Sequence, residues 1–289
     1  MILAIGEILI DKIVENGTQK NFLGGAPVNM IINAKKEGSK CAFVGRVGND
    51  DNGKFLISQI KKAGLDRLDI QVDNERATTI ALVTLDNGER DFNFVRSNTA
   101  DYHLSVEEID FNSYKNLQLI HLGSLMLSEK EGVEFANEVV KKSKELGVKL
   151  SFDVNFRADT YSSVEVAKKT YLPFIKSADI VKFSEEEVEL FTGEADICKA
   201  CESLSRENQL IVVTLGSKGS FYYFNGKTAI KPTKPIKPID TTGAGDAFFG
   251  SFIANVVGKD LSSENILIAL ERANKKGAET TQFYGAVKL

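Results

Sequence analysis

The chain has no tryptophan, two histidines (His103 and His121), three cysteines and three methionines among its 289 residues. Two histidines are too few for a histidine-rich zinc centre. Neither stands where a serine hydrolase would place its base, because no G-x-S-x-G elbow occurs. Three cysteines, an odd number in a chain this long, argue against a disulfide framework and for a reducing cytoplasm. No apolar run approaches the roughly 20 residues of a membrane span. No basic leader precedes the apolar stretch 1–10, so no secretion signal is expected. Charge of neither sign dominates: 36 basic and 40 acidic residues leave a net charge of −4 and no footprint for nucleic acid. The absence of G-x-x-x-x-G-K-[ST] removes a P-loop, and no G-x-G-x-x-G follows the first strand, which weighs against a dinucleotide-binding dehydrogenase. Catalysis must then rest on carboxylates, arginines and backbone amides.

What is present is an ordinary globular balance, 43% hydrophobic and 26% charged, long enough for one large domain over 1–289. Near-continuous apolar stretches at 2–10, 41–47, 117–122, 150–154, 180–183 and 210–215 read as strands buried on both faces of a largely parallel sheet. Helical patterns fall at 28–37, 53–63, 130–146, 163–177, 185–192, 195–207 and 245–257, so a layered α/β domain is expected. The last carries an apolar stripe of Phe248, Phe249, Phe252, Ile253, Val256 and Val257.

Two strand-like runs, 79–85 and 90–97, meet through Asn87-Gly88, a hairpin signal. By period two, Arg90, Phe92, Phe94 and Arg96 share one face, either of a lid over a polar ligand or of a solvated hairpin. A small β-sheet lid is the reading adopted, with about 12–22 and 74–100 contributing to it. Its edge could also pair two copies as a homodimer. Asn225-Gly226 marks a second hairpin, and Pro232, Pro235 and Pro238 make 231–238 an extended connector. Cys198 and Cys201 have redox spacing but lie in a helical pattern, and read as structural.

The connector delivers the chain into Asp240-Thr241-Thr242-Gly243-Ala244-Gly245-Asp246, immediately before the Phe-rich helix. Gly243 and Gly245 permit a tight turn around Ala244, and amides at a helix N-terminus form an anion site. An acid beside such a site would repel phosphate. Asp246 makes sense there as a base taking a proton from an attacking hydroxyl while the amides hold a phosphoryl group's charge.

That segment resembles the D-T-x-G-A-G-D signature of the ribokinase-like (PfkB) carbohydrate kinases. Gly24-Gly25-Ala26-Pro27-Val28-Asn29, continuing to Gly48, resembles their first signature, and the likeness spans nearly the whole chain. The resemblance implies a layered αβα ribokinase-like fold, with Asp11, Gly24, Gly25 and Asn29 gripping a sugar and Arg96 closing over it. Asp153-Val154-Asn155-Phe156-Arg157 is similar to the D-x-N-x-R of fructokinases and sugar-acid kinases, with Arg157 reaching sugar or phosphate. Lys182, Ser184 and Glu187 occupy the place of N-x-x-E, implying a nucleotide-side role and a magnesium shell held through Glu187 by way of water. Thr214, Gly216 and Gly219 would border the ATP phosphates, and Asn274 and Gly277 the adenine. The carbonyls of Asp240 and Thr242 would hold a potassium ion, although the chain stops at Leu289 without the last tail ligand of relatives.

The expected activity is ATP-dependent phosphorylation of a sugar hydroxyl, with D-fructose to fructose 6-phosphate foremost. A 2-keto-3-deoxygluconate kinase and a ribokinase are rivals. A non-catalytic sugar- or nucleotide-binding regulator is the contrasting class, which loss of the aspartate or the glycines would mark. ATP and a small sugar are the expected partners, with no nucleic acid or membrane.

Overall fold

A computed structural model describes residues 1–15, 18–86, 89–234 and 236–289, with backbone alone at 14, 15, 18, 83–86 and 89–93. β1 (Ile2–Ile5) starts the main sheet, and the chain leaves it for a second, small sheet as β2 (Leu9–Glu15) and β3 (Thr18–Gly24). It returns through α1 (Ala26–Lys36) to β4 (Cys41–Gly48), then α2 (Asp51–Lys62) and β5 (Arg67–Asp73). A second excursion adds β6 (Ile80–Asp86) and β7 (Glu89–Val95) to the small sheet. Strand and helix then alternate through β8 (Leu119–Leu122), α3 (Lys130–Glu145), β9 (Lys149–Asp153), α4 (Val164–Ser177) and β10 (Ile180–Ser184). α5 (Glu185–Thr192) and α6 (Ile197–Leu204) lead to β11 (Leu210–Thr214) and the hairpin β12 (Ser220–Phe224)–β13 (Lys227–Lys231). α7 (Ala244–Val256) and α8 (Ser263–Thr280) complete the fold.

The main sheet runs β13-β12-β11-β10-β9-β8-β1-β4-β5, parallel except at the β11–β12 and β12–β13 pairs. Its strands are buried on both faces, as their unbroken apolar runs require. Ile2 and Ala4 enter the cluster packed with α1, α7 and α8, whereas Leu3 and Ile5 enter the opposite one with α3 and α4. The small sheet has order β3-β2-β6-β7, antiparallel at its flanks and parallel between β2 and β6. This is a ribokinase-like αβα body with a small sheet beside it.

Several expectations shift. The single strand foreseen over 2–10 is two, broken at Gly6-Glu7-Ile8 where the chain changes sheets. A Cβ on Gly6 would stand 2.8 Å from Pro27 Cγ and 3.0 Å from Gly123 Cα, so the body packs hard against the crossing. Apolar continuity concealed the break because both sheets bury their part of the run, Leu9 and Ile10 included. β5 was not foreseen: it is an edge strand, half-buried, and its alternating polar residues form no continuous run. The small sheet begins at Leu9 and ends at Val95, earlier at each end than the span read from sequence. The Asn87-Gly88 turn, Pro235 and the side chains of Arg90 and Phe92 lie outside the described residues. The Asn225-Gly226 turn is as expected, with φ of 49° and 76° joining β12 to β13.

Candidate active site

Open α/β sheets bind ligands beyond the carboxyl ends of their parallel strands. Here Glu7 follows β1, Gly123 follows β8, Asp153 ends β9, Ser184 ends β10 and Thr214 ends β11. Residues of the small sheet (Leu9, Asp11, Ala81 and Phe94) face the same edge, and a cavity of about 1010 Å³ lies between.

Asp246 is in the first turn of α7 on this cavity. The helix starts where it does because Gly243, its N-cap, takes φ 72° and fits under Ala286: a Cβ there would come within 2.5 Å of the Ala286 Cβ. The Asp246 Oδ2 accepts a 2.9 Å hydrogen bond from Asn29 Nδ2, which aims the carboxyl. Burial raises the Asp246 carboxyl above the ordinary aspartate range, against the pull of the Asn29 amide, Lys182 and Arg157. A carboxyl of raised pKa accepts a proton more readily than an exposed one.

Lys182 projects from β10 into the cavity and donates a 2.9 Å bond to Asp153 Oδ1 in a buried ion pair. Burial alone would lower its ammonium, but Asp153 and Glu187 outweigh that and hold it above the ordinary lysine value. Its Nζ stands 3.4 Å from where a Gly245 Cβ would be, so a fixed cation flanks the amides heading α7. First-turn N–H groups have no partner within their own helix. Together they make an anion site.

On the other side, Asp11, Gly25, Asn29 and Arg157 line the cavity. Gly24 does not line it but lies beneath the Asp11 carboxyl, whose Oδ2 is 2.5 Å from a Cβ built there. Gly25, at φ 113°, passes so close to Glu7 that its Cβ would meet the Glu7 carbonyl at 2.4 Å. Thr214, Gly216, Gly219, Asn274 and Gly277 line a second, smaller groove of about 320 Å³, together with Ala244. Pro238, Thr241 and Gly245 border both, so the two join at the head of α7. The Asn274 amide also ties β13 to α8, donating to the Lys231 carbonyl at 2.9 Å. Asp240 and Thr242 line the main cavity. The Asp240 carboxyl accepts N–H groups of Thr242 (2.9 Å) and Gly285 (2.8 Å), stapling the loop before α7 to the segment after α8.

Besides Gly24, three expected residues are placed differently. Arg96 does not line the cavity: it is buried at the end of β7, donating through Nε to Asp101 Oδ2 at 2.8 Å and through Nη1 to Ser128 Oγ. Its guanidinium lies over the Tyr102 ring, 4.7 Å from the centroid. Strands β6 and β7 touch the cavity through Ala81 and Phe94 instead. Glu187 has both oxygens engaged by backbone, Oε2 with Ser184 N–H (2.8 Å) and Oε1 with Phe156 N–H (2.7 Å), so it clamps the 155–157 loop to α5 and borders neither cavity. Ser184 completes that capping box, its Oγ accepting the Glu187 N–H, and borders neither cavity. Conversely, Glu7, Asn155 and Tyr284 line the cavity, and Asp153 holds Lys182. Asn155 and Asp153 stood inside a segment that carried the resemblance, and Glu7 lies four residues before Asp11. Nothing in the local sequence marked Tyr284.

A deep polar pocket ending on an oriented carboxyl, beside a narrower groove sharing one helix N-terminus, defines a small-molecule phosphotransferase. The chain belongs to the pfkB family of carbohydrate kinases, whose profile matches residues 2–288. It is a sugar kinase. Fructokinase-1 of Zea mays is 34% identical, covering 99% of this chain and 93% of its own. The Vibrio cholerae O395 fructokinase, solved with fructose, ADP and a calcium ion, is 31% identical with a TM-score of 0.88, covering 99% of this chain and 94% of its own. The Xylella fastidiosa fructokinase with bound ATP is 28% identical with a TM-score of 0.89, covering 99% and 93%.

Proposed function

We propose that the protein transfers the γ-phosphoryl group of ATP to D-fructose, giving fructose 6-phosphate and ADP. The observation that carries this reading is the Asp246 carboxyl, held by Asn29 in the main cavity one residue beyond Gly245, which borders both cavities. The sugar lies against Asp11, Asn29 and Arg157, and the nucleotide lies along the groove of Thr214, Gly216 and Asn274. Asp246 accepts the proton of the attacking hydroxyl as its oxygen bonds the γ-phosphorus. The bond from that phosphorus to the β–γ bridging oxygen breaks, and the electron pair leaves with ADP. Amides of Gly245 and Asp246, with the Lys182 ammonium beside them, stabilise the charge on the transferring group. Similarity to plant and bacterial fructokinases supports fructose as acceptor.

Among the described residues no three acidic, histidine or cysteine side chains gather as a metal cluster. Magnesium takes few carboxylates and is held largely by substrate phosphates and water. Asp153 and Glu187, both acting on Lys182, are the carboxylates that would hold it, Glu187 by way of water, and it would neutralise phosphate charge when bound. The same reading places potassium at the carbonyls of Asp240 and Thr242, makes the small sheet a lid on a single kinase domain, and pairs two copies through its edge. It also puts the enzyme in the cytoplasm; no helix among the described residues is long and apolar enough to cross a membrane.

Arg157 on the cavity favours one rival, the sugar acid 2-keto-3-deoxygluconate, whose carboxylate it could hold. ATP turnover measured side by side with fructose, ribose and 2-keto-3-deoxygluconate tests the proposal. Fructose should give the highest kcat/KM by about tenfold or more, a factor worth about 1.4 kcal/mol. A higher value for the sugar acid would replace the substrate, and no turnover with any of the three would overturn the activity.

A further inference from the structure

The chain passes between the two sheets four times, and these passages converge on one buried polar cluster. Glu7 lies on the passage from β1 to β2, Thr79 on that from β5 to β6, and Arg96 immediately after β7, while the Gly25 passage packs on the Glu7 carbonyl. Asp101 collects three donors here: the hydroxyls of Thr79 and Thr99 and, at 2.8 Å, the Nε of Arg96. Ser128 takes the Arg96 Nη1, which leaves Nη2 buried without a partner.

A second unsatisfied group lies on the first of these passages. The Glu7 side chain is 1% exposed and packed on Gly123, and its Oε2 is also buried without a hydrogen bond. Buried polar atoms are nearly always paired, and those that are not call for an explanation. Here the two orphans have opposite charge and act on each other electrostatically. Glu7 also lines the cavity beside Asp246, so it reaches from the sheet crossing to the acceptor pocket.

We infer that Glu7 and Arg96 form a positioning pair: when sugar draws the small sheet over the cavity, Arg96 Nη2 bonds the Glu7 carboxylate and fixes the closed arrangement. This rests on the reading of the main cavity as the sugar site. Arg96 therefore acts on the sugar through Glu7 and not by touching it. A bond absent in the open form and made in the closed one gives closure a differential free energy, which any ligand-driven change requires.

A double-mutant cycle tests the pair, using Glu7→Gln and Arg96→Lys, the lysine being able to keep Asp101 while failing to reach Glu7. Each single change should raise the sugar KM about tenfold with the ATP KM within about twofold, and the double variant should be little worse than either, since coupled residues are non-additive. Multiplication of the two losses in the double variant would show independent contacts and overturn the inference, as would an unchanged sugar KM in Glu7→Gln. If Arg96→Lys fails to fold, Glu7→Asp decides: retention of the charge should recover part of the affinity that glutamine loses, and equal losses for both would overturn the pair. A wild-type protein idle with every sugar would instead overturn the sugar reading itself.

Discussion

At the scale of single residues, Asp246 and the glycines before it make unequal demands. Asp246→Asn keeps the size and the Asn29 contact but removes the proposed base, so turnover should fall by about 10²–10⁴. Nucleotide affinity, measured by calorimetry, should stay within about twofold, because the base bears on chemistry and not on the groove. Gly243 and Gly245 look alike in sequence yet differ in space. A Cβ on Gly243 meets Ala286 at 2.5 Å on backbone of φ 72°, whereas one on Gly245 meets only the Lys182 terminus at 3.4 Å. Gly243→Ala should therefore cost at least about 1–2 kcal/mol in urea unfolding, the penalty of left-handed backbone, and Gly245→Ala much less.

Glu7 brings a pH dependence. Burial, chiefly, carries its carboxyl from 4.5 to about 7, with Asp101 and Asp246 adding to the rise and its own backbone N–H and Arg96 opposing it. A carboxyl raised on folding contributes stability that is complete below pH 4.5 and lost as pH passes 7. Relative to Glu7→Gln, the wild type should lose up to about 3 kcal/mol between those limits, read from urea unfolding across pH. A flat difference between the two proteins would contradict it.

At the scale of elements, legibility followed the physics of burial. Strands enclosed on both faces announce themselves as unbroken apolar runs, which is why β4, β8 to β11 and the helices between them were readable. What failed was whatever depends on the partner across the sheet. β5 alternates because it is an edge, and the run at 2–10 does not record that its halves serve different sheets. The site was legible where backbone shape imposes residue type, as in Gly243–Asp246. It was illegible where a side chain has two plausible jobs: Arg96 faces inward to Asp101, and Glu187 spends both oxygens on amides. The latter gives an element-level prediction. Glu187→Gln should loosen the α5 cap and the 155–157 loop together, lowering stability by about 0.5–2 kcal/mol, measurable as a shift in urea midpoint.

At the scale of the whole molecule, two sheets of different size share one cavity, with the proposed catalytic groups on the side of the large one and a cover from the small. The carboxyl ends of β1 and β8 to β11 all open on this edge, so chemistry-bearing residues distant in sequence meet there without special loops. Closure of the small sheet on sugar should slow hydrogen exchange in β6 and β7 more than in β4, and equal protection would count against a lid. The four passages between the sheets give that motion a defined pivot.

The staple at Asp240 carries one more consequence. Because a single carboxyl grips both the turn preceding α7 and the Gly285 amide, the segment after α8 serves as a tether for the head of that helix. A purification handle or proteolytic nick close to position 285 should slacken that tether, lowering turnover in a protein whose circular dichroism stays unchanged.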